Sequence, residues 1–200
     1  MKFNNLNITL GGVAIIDSFT AEIPNGGITA LTGASGSGKT TLLRAVCGLC
    51  PFTGEIIYPG GKKQSRRPLV ACAFQEPRLL PWYTVRKNLS LVNAAEKDIG
   101  DLLSRLGLYD DADKLPEELS GGMRTRVSLA RALLYAAGNT DALVILDEPT
   151  TGLDASAAEK ACVLIRELCG GHTVITATHS ERDISILGAG RIEIKPCVKP

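Results

Sequence analysis

An α/β fold built on a mostly parallel sheet is what this 200-residue chain predicts, and three observations carry the prediction. Short apolar runs recur at residues 28–32, 69–74, 142–146 and 173–178, each followed by turn chemistry. They are apolar on both alternating faces, as strands buried between helical layers are. Helical patterns separate the runs, which makes a parallel sheet the natural arrangement.

The elements follow in order. Residues 2–23 alternate like antiparallel strands with one face in water, and Asn25-Gly26-Gly27 is the turn before the first buried strand. Residues 39–47 read as a helix stopped by Gly48, with Pro51 just beyond. Ile99, Leu102, Leu103 and Leu106 mark one apolar helical face. A third helix runs from about Gly122 to Ala137, with Met123, Val127, Ala130 and Leu134 as its apolar stripe. There is no internal repeat or low-complexity segment, and the length suits one domain over residues 1–200 with a full core.

A formal net charge of +1 gives no general field for nucleic acid or anionic lipid, so partners must be recognised by local sites. No apolar run approaches the ~18 residues that span a bilayer. The first residues, MKFNNLNITLGG, lack the apolar core of a secretory signal, so a cytosolic protein is expected. The six cysteines are accordingly expected as reduced thiols. Cys47 and Cys50 form a CxxC at a helix end, but without a second pair it reads as packing and not as a redox or zinc site. The basic run at 62–67 has no interleaved aromatics and reads as a solvated loop.

Gly33-Ala34-Ser35-Gly36-Ser37-Gly38-Lys39-Thr40, with Thr41 after it, has the GxxxxGK[ST] spacing and lies between a predicted strand and a predicted helix. Glycines at 33, 36 and 38 let the backbone turn its N–H groups inward onto phosphates. Lys39 then bridges the β- and γ-phosphates of ATP, and the Thr40 hydroxyl ligates Mg²⁺. Asp147 and Glu148 emerge together from a buried strand; Asp147 is assigned to the metal, and Glu148 to orienting or deprotonating the attacking water. Taken alone, Asp-Glu-Pro would merely end a strand, and Gln75 and His179 would be ordinary strand-end residues. Together, Gly33, Gln75, Asp147 and His179 all fall at carboxyl ends of predicted parallel strands, where open α/β sheets bind ligands. Ser120, Gly121 and Gly122, in LSGGM, sit at a helix start able to receive a phosphate, although Ser120 is equally a plain N-cap.

In this order GASGSGKT, Gln75, LSGGM, ALVILDEPT, the 151–154 run TGLD and His179 resemble the nucleotide-binding subunit of an ABC transporter over nearly the whole chain. The resemblance implies a P-loop NTPase fold of the ABC ATPase kind. Its parts are a parallel core, an N-terminal antiparallel β subdomain, and a helical subdomain at about 76–135 that receives a membrane-spanning permease. It implies an ATPase whose two copies close over ATP, with Ser120, Gly121 and Gly122 touching the γ-phosphate of the other copy's nucleotide. His179 would hold that phosphate, Gln75 would join the metal and catalytic groups, and Asp154 would link the two sites. The FQEPRLLPW stretch at 74–82 resembles bacterial importers of the nitrate, sulfonate, taurine and thiamine-precursor type, which implies uptake, with a solute-binding protein as an indirect partner and a place on the inner face of the cell membrane.

Three departures from the family stand out. Leu10 precedes Gly11-Gly12 where an aromatic commonly stacks on adenine, which predicts weak base discrimination. Met123 replaces a glutamine, with a modest effect expected because the phosphate donors are backbone groups and Ser120. Only residues 180–200 follow His179, so no regulatory C-terminal domain is expected. Two other readings compete: a soluble ABC-type ATPase without a membrane partner, and a P-loop small-molecule kinase, which leaves LSGGM and His179 idle.

Overall fold

The structure, a computed structural model, describes residues 1–61, 63 and 67–197; the basic run at 62–67 lies for the most part outside them. Its strands are β1 (Lys2–Leu10), β2 (Val13–Glu22), β3 (Ile28–Thr32), β4 (Thr53–Ile57), β5 (Val70–Ala73), β6 (Leu143–Asp147), β7 (Val174–Ala177) and β8 (Gly190–Glu193). The helices are α1 (Lys39–Val46), α2 (Val85–Ser90), α3 (Glu96–Arg105), α4 (Gly121–Ala137), α5 (Ala155–Leu168) and α6 (Glu181–Leu187).

The alternating N-terminal residues form β1 and β2, which with β4 make a three-stranded antiparallel sheet in the order β2-β1-β4, and the four apolar runs, with β8 at one edge, form a parallel sheet in the order β5-β6-β7-β3-β8. Every residue of β6 and β7 is buried, because both faces are covered. Side chains alternate between those faces with the strand period of two. Val144, Leu146 and Val174 meet α4 and α5 in one core cluster, while Leu143, Ile145, Ile175 and Ala177 meet α1 and the antiparallel sheet in the other. The stripe expected on α4 packs inward: Val127 and Ala130 are fully buried, and Met123 lies against the same cluster.

Five elements were not singled out from sequence, the short strand β4 among them. β8 reads as polar and largely exposed, and becomes a strand only through its pairing with β3. Helix α5 is rich in small residues, and α2 and α6 span two turns or fewer, too short for periodicity to register. Register decides what matters for function. Ala73 pairs with Leu146, Asp147 with Ala177, and Ala177 with Leu31, so the carboxyl ends of four neighbouring strands finish level.

All six cysteines are free thiols. The two of the CxxC have different surroundings: Cys50 Sγ lies 3.6 Å from Thr41 O, while the neighbouring Cys47 thiol holds the pKa of Cys72 below the usual thiol range.

Candidate nucleotide site

The loop after β3 turns where only glycine fits. Gly33 and Gly38 have φ of 135° and 98°, in the region that side chains avoid. A Cβ on Gly33 would also lie 2.3 Å from Ile194 O, and one on Gly38 2.7 Å from Ile16 Cδ1. The loop is thus wedged between β8's exit and β2. Lys39, almost wholly buried, arches back over it, its Nζ donating to Gly33 O at 2.9 Å and Ala34 O at 3.0 Å.

Thr40 Oγ1 donates to Asp147 Oδ1 at 3.2 Å, which ties the first turn of α1 to the end of β6. The second oxygen, Asp147 Oδ2, is buried without a protein partner. Burial pushes the Asp147 carboxyl up from the usual range, against the Thr40 hydrogen bond and the charges of Arg44 and Lys39. A hydroxyl and a carboxylate with an unused buried oxygen are hard donors that suit Mg²⁺, which takes few protein ligands and completes its shell with water and phosphate.

Glu148, next in sequence, has a φ of 51°, uncommon for a side-chain-bearing residue. Its N–H is held by Ala177 O at 2.9 Å. Its carboxylate meets His179 Nε2 at 3.0 Å through Oε1, and Thr151 Oγ1 at 3.4 Å through Oε2. Burial again raises its pKa, opposed first by His179 and then by the Thr151 hydrogen bond. A carboxylate poised to take a proton, beside an imidazole at the mouth of a cleft, has the arrangement of a general base with an orienting partner.

One cleft of about 490 Å³ gathers these groups: Ser35, Gly36, Gly38, Lys39, Thr40 and Thr41 from the loop and α1, with Gln75, Asp147, Glu148 and His179 from the strand ends. Ile15 and Thr151 line it too. Sequence reading missed both, Ile15 because nothing in an alternating strand marks the residue that will touch the loop. A register shift between Ile8 and Thr9 gives β2 one extra residue there, and both Ile15 and Ile16 reach Gly38.

Ser120, Gly121 and Gly122 do not line this cleft. Ser120 caps α4, its Oγ accepting from Met123 N–H at 3.2 Å, and it is exposed, as is Gly121. Gly122 packs on the turn after Glu148: a Cβ there would lie 2.8 Å from Gly152 O. Asp154 caps α5, its Oδ1 accepting from the N–H groups of Ser156 and Ala157 at 3.0 and 2.9 Å, bonds that hold its pKa low.

A glycine-walled loop after β3 that feeds a lysine and a threonine toward an Asp-Glu pair at the end of β6, one strand beyond β7, defines a P-loop nucleoside triphosphatase. Comparison with known proteins makes the class narrower. The ABC transporter family matches residues 16–151, and the chain belongs to that family, an ATP-binding and ATP-hydrolysing cassette. It is 38% identical over 198 residues to the aliphatic sulfonates import ATP-binding protein SsuB 1 of Pseudomonas syringae pv. tomato, covering 96% of this chain and 68% of that one. It is 36% identical to SsuB 2 of Agrobacterium fabrum, over 88% of this chain and 69% of the relative. Among solved structures it is similar to the dimeric ATP-binding cassette MJ0796 in a post-hydrolysis state bound to ADP and Pi. That match has a TM-score of 0.82 at 27% identity and covers 98% of this chain and 95% of that one. A second dimeric structure of MJ0796, described as a bacterial ABC transporter cassette, gives a TM-score of 0.83 at 28% identity, over 97% and 94% of the two chains.

Proposed function

We propose that this chain is the ATP-hydrolysing subunit of a bacterial importer, in which two copies close on two ATP molecules and the closure is passed to a membrane permease. The observation that carries the reading is the split between the two phosphate-facing elements. Lys39, Asp147, Glu148 and His179 share one cleft, while Ser120 and Gly121 are exposed outside it and Gly122 packs behind them on the 152–153 turn. A two-fold dimer brings such separated patches into register, one from each copy.

Each residue then has a task. The loop N–H groups and Lys39 Nζ hold the β- and γ-phosphates. Thr40 and Asp147, with Gln75 at the rim, would hold Mg²⁺, which neutralises charge developing on the phosphates. Glu148 takes the proton of the attacking water, and His179 steadies the γ-phosphate from the Glu148 side. Ser120 Oγ and the first N–H groups of α4, at the positive end of that helix, close on the γ-phosphate from the second copy. Asp154 lies on the segment that passes between the two sites. Loss of the γ-phosphate releases the grip and lets the copies part.

Two observations support a membrane partner. Gln75 lines the nucleotide cleft and also a second cleft of about 320 Å³ with Arg44, Leu49, Phe74, Glu76 and Arg78. Beyond it the 80–84 loop is pinned by the fully buried Asn88, which accepts from Leu80 N–H at 2.8 Å and donates to Leu80, Tyr83 and Thr84 carbonyls. That clamp holds Trp82 in water at 68% exposure, the kind of aromatic anchor an interface buries. No helix among the described residues is long and apolar enough to cross a membrane, so attachment through a permease on the cytoplasmic face fits the chain. The import names of the relatives and the 74–82 stretch favour uptake of small anions of the sulfonate class, with a solute-binding protein acting on the permease and not on this subunit.

The test is twofold. The purified chain with Mg-ATP and no acceptor should release inorganic phosphate, and release that needs an acceptor would move it to the kinases. Co-expression with its cognate permease should yield a complex that a Trp82→Glu variant fails to form. A chain that hydrolyses ATP but binds no permease would be the soluble ATPase instead.

A further inference from the structure

A buried carboxylate outside the cleft has no part in the roles above. Helix α6 begins directly after His179 with Ser180 as its N-cap, whose Oγ accepts from Asp183 N–H at 3.2 Å. In a capping box the carboxylate at the Asp183 position would fold back onto the N-cap N–H. Here Ser180 N–H is already taken by Thr178 Oγ1 at 3.1 Å, so the Asp183 side chain is free to reach elsewhere. It is only 4% exposed, and its Oδ2 accepts from Thr150 Oγ1 at 2.5 Å, 33 residues earlier in the chain.

Thr150 lies two residues beyond Glu148, inside a turn closed by Thr151 N–H to Glu148 O and Leu153 N–H to Thr150 O, both 3.1 Å. The segment 148–151 and the segment 179–183 are therefore tied twice. Glu148 to His179 faces the cleft, and Thr150 to Asp183 lies on the buried side. Between the ties sits Glu148 in a left-handed conformation that persists only where its surroundings enforce it. Burying a carboxylate costs more than burying an apolar pair of the same volume, so what the tie supplies is a fixed geometry.

We infer that Asp183 is a positioning residue for hydrolysis: through Thr150 it sets the turn that carries Glu148 and thereby the spacing between Glu148 and His179. The inference rests on the roles given to those two residues above.

The experiment uses the full chain and compares Asp183→Ala, Asp183→Asn, Thr150→Val and Thr150→Ser, each alone and with His179→Ala. Turnover is measured at saturating Mg-ATP, alongside nucleotide affinity and melting temperature. Asp183→Ala and Thr150→Val should each lower kcat about tenfold to a hundredfold, as a small displacement of a catalytic group does. Nucleotide affinity should stay within about twofold, because the phosphate cradle is untouched. Asp183→Asn and Thr150→Ser keep an acceptor and a donor and should restore most of the loss. In the His179→Ala background the Asp183 and Thr150 effects should shrink toward nothing. Undiminished kcat in Asp183→Ala or Thr150→Val overturns the inference. So does a loss that multiplies with His179→Ala, or one that tracks melting temperature and is not restored by the conservative variants. If Asp183→Ala does not fold, the Thr150 pair decides alone. Should Glu148→Gln and His179→Ala themselves leave turnover unchanged, the underlying assignment has failed, a result distinct from failure of the Asp183 tie.

Discussion

The two phosphate-facing regions of this chain differ in how complete each is within one copy. Around Lys39 the central groups of the cradle are held by their neighbours: two carbonyls for Nζ, the Asp147 carboxylate for Thr40, and Ile194 and Ile16 walling in the glycines. Around Ser120 the helix tip is capped and stable, yet exposed, and nothing in the same cleft meets it. A level sheet edge lets a single chain finish the first region, since four strand ends converge by register. The second projects from a different layer, and on the proposed reading only another copy can supply its opposite wall.

The sharpest way to break this comparison is Glu148→Gln, which removes the base while keeping the shape. Turnover should fall by about 10²–10⁴-fold, the usual contribution of a general base, and ATP should trap a dimer visible by size-exclusion chromatography. A variant that stays a single copy in ATP at high concentration would show that the Ser120 region needs no partner. For the native chain, burial holds the Glu148 pKa above the ordinary carboxylate range, so the base is lost to protonation on acidification at a higher pH than a solvent-exposed glutamate, near about 4.3, would be. The kcat–pH profile should show that raised acid limb.

Next in size, Lys39→Ala should weaken Mg-nucleotide binding by about tenfold or more, the worth of charge-assisted hydrogen bonds. Nucleotide titration reads this directly, and unchanged affinity would remove Lys39 from the cradle. Ser120→Arg sharpens the contrast from the other side. Because Ser120 is exposed and outside the cleft, affinity at low protein concentration should match the parent while phosphate release falls by about tenfold or more, as when a charge-stabilising donor is lost. Equal losses in both measurements would place Ser120 in its own chain's site. The smallest effect concerns the base. Leu10 and its cross-strand partner Val13 are both exposed aliphatics with no π face. Comparative titrations should find ATP and GTP bound within about tenfold of each other, and Leu10→Tyr should favour ATP by about 0.5–1.5 kcal/mol, the value of an aromatic contact.

Much of the molecule was legible beforehand because its signals are local. Strands buried on both faces announce themselves as apolar runs, and a phosphate loop needs its glycines, lysine and threonine consecutive. What escaped depends on contacts between distant segments. β8 is polar and joins the sheet only by pairing with β3. Ile15 becomes part of the cleft through one extra residue in β2. Asp183 looks like an ordinary helix-start acid until Thr178 takes the N–H it would have capped.

By itself, then, the order of residues determined the class of chemistry: a triphosphate cradle, a carboxylate pair and a serine-glycine helix tip in one chain, each set by short-range backbone and side-chain requirements. Tertiary structure alone decided which of these share a cleft. Parallel pairing brought Gly33, Gln75, Asp147 and His179 level, and layer packing left Ser120 facing outward. The physical reason is that sheet register and layer contacts arise from burial summed over many residues, a quantity that no single stretch of sequence carries.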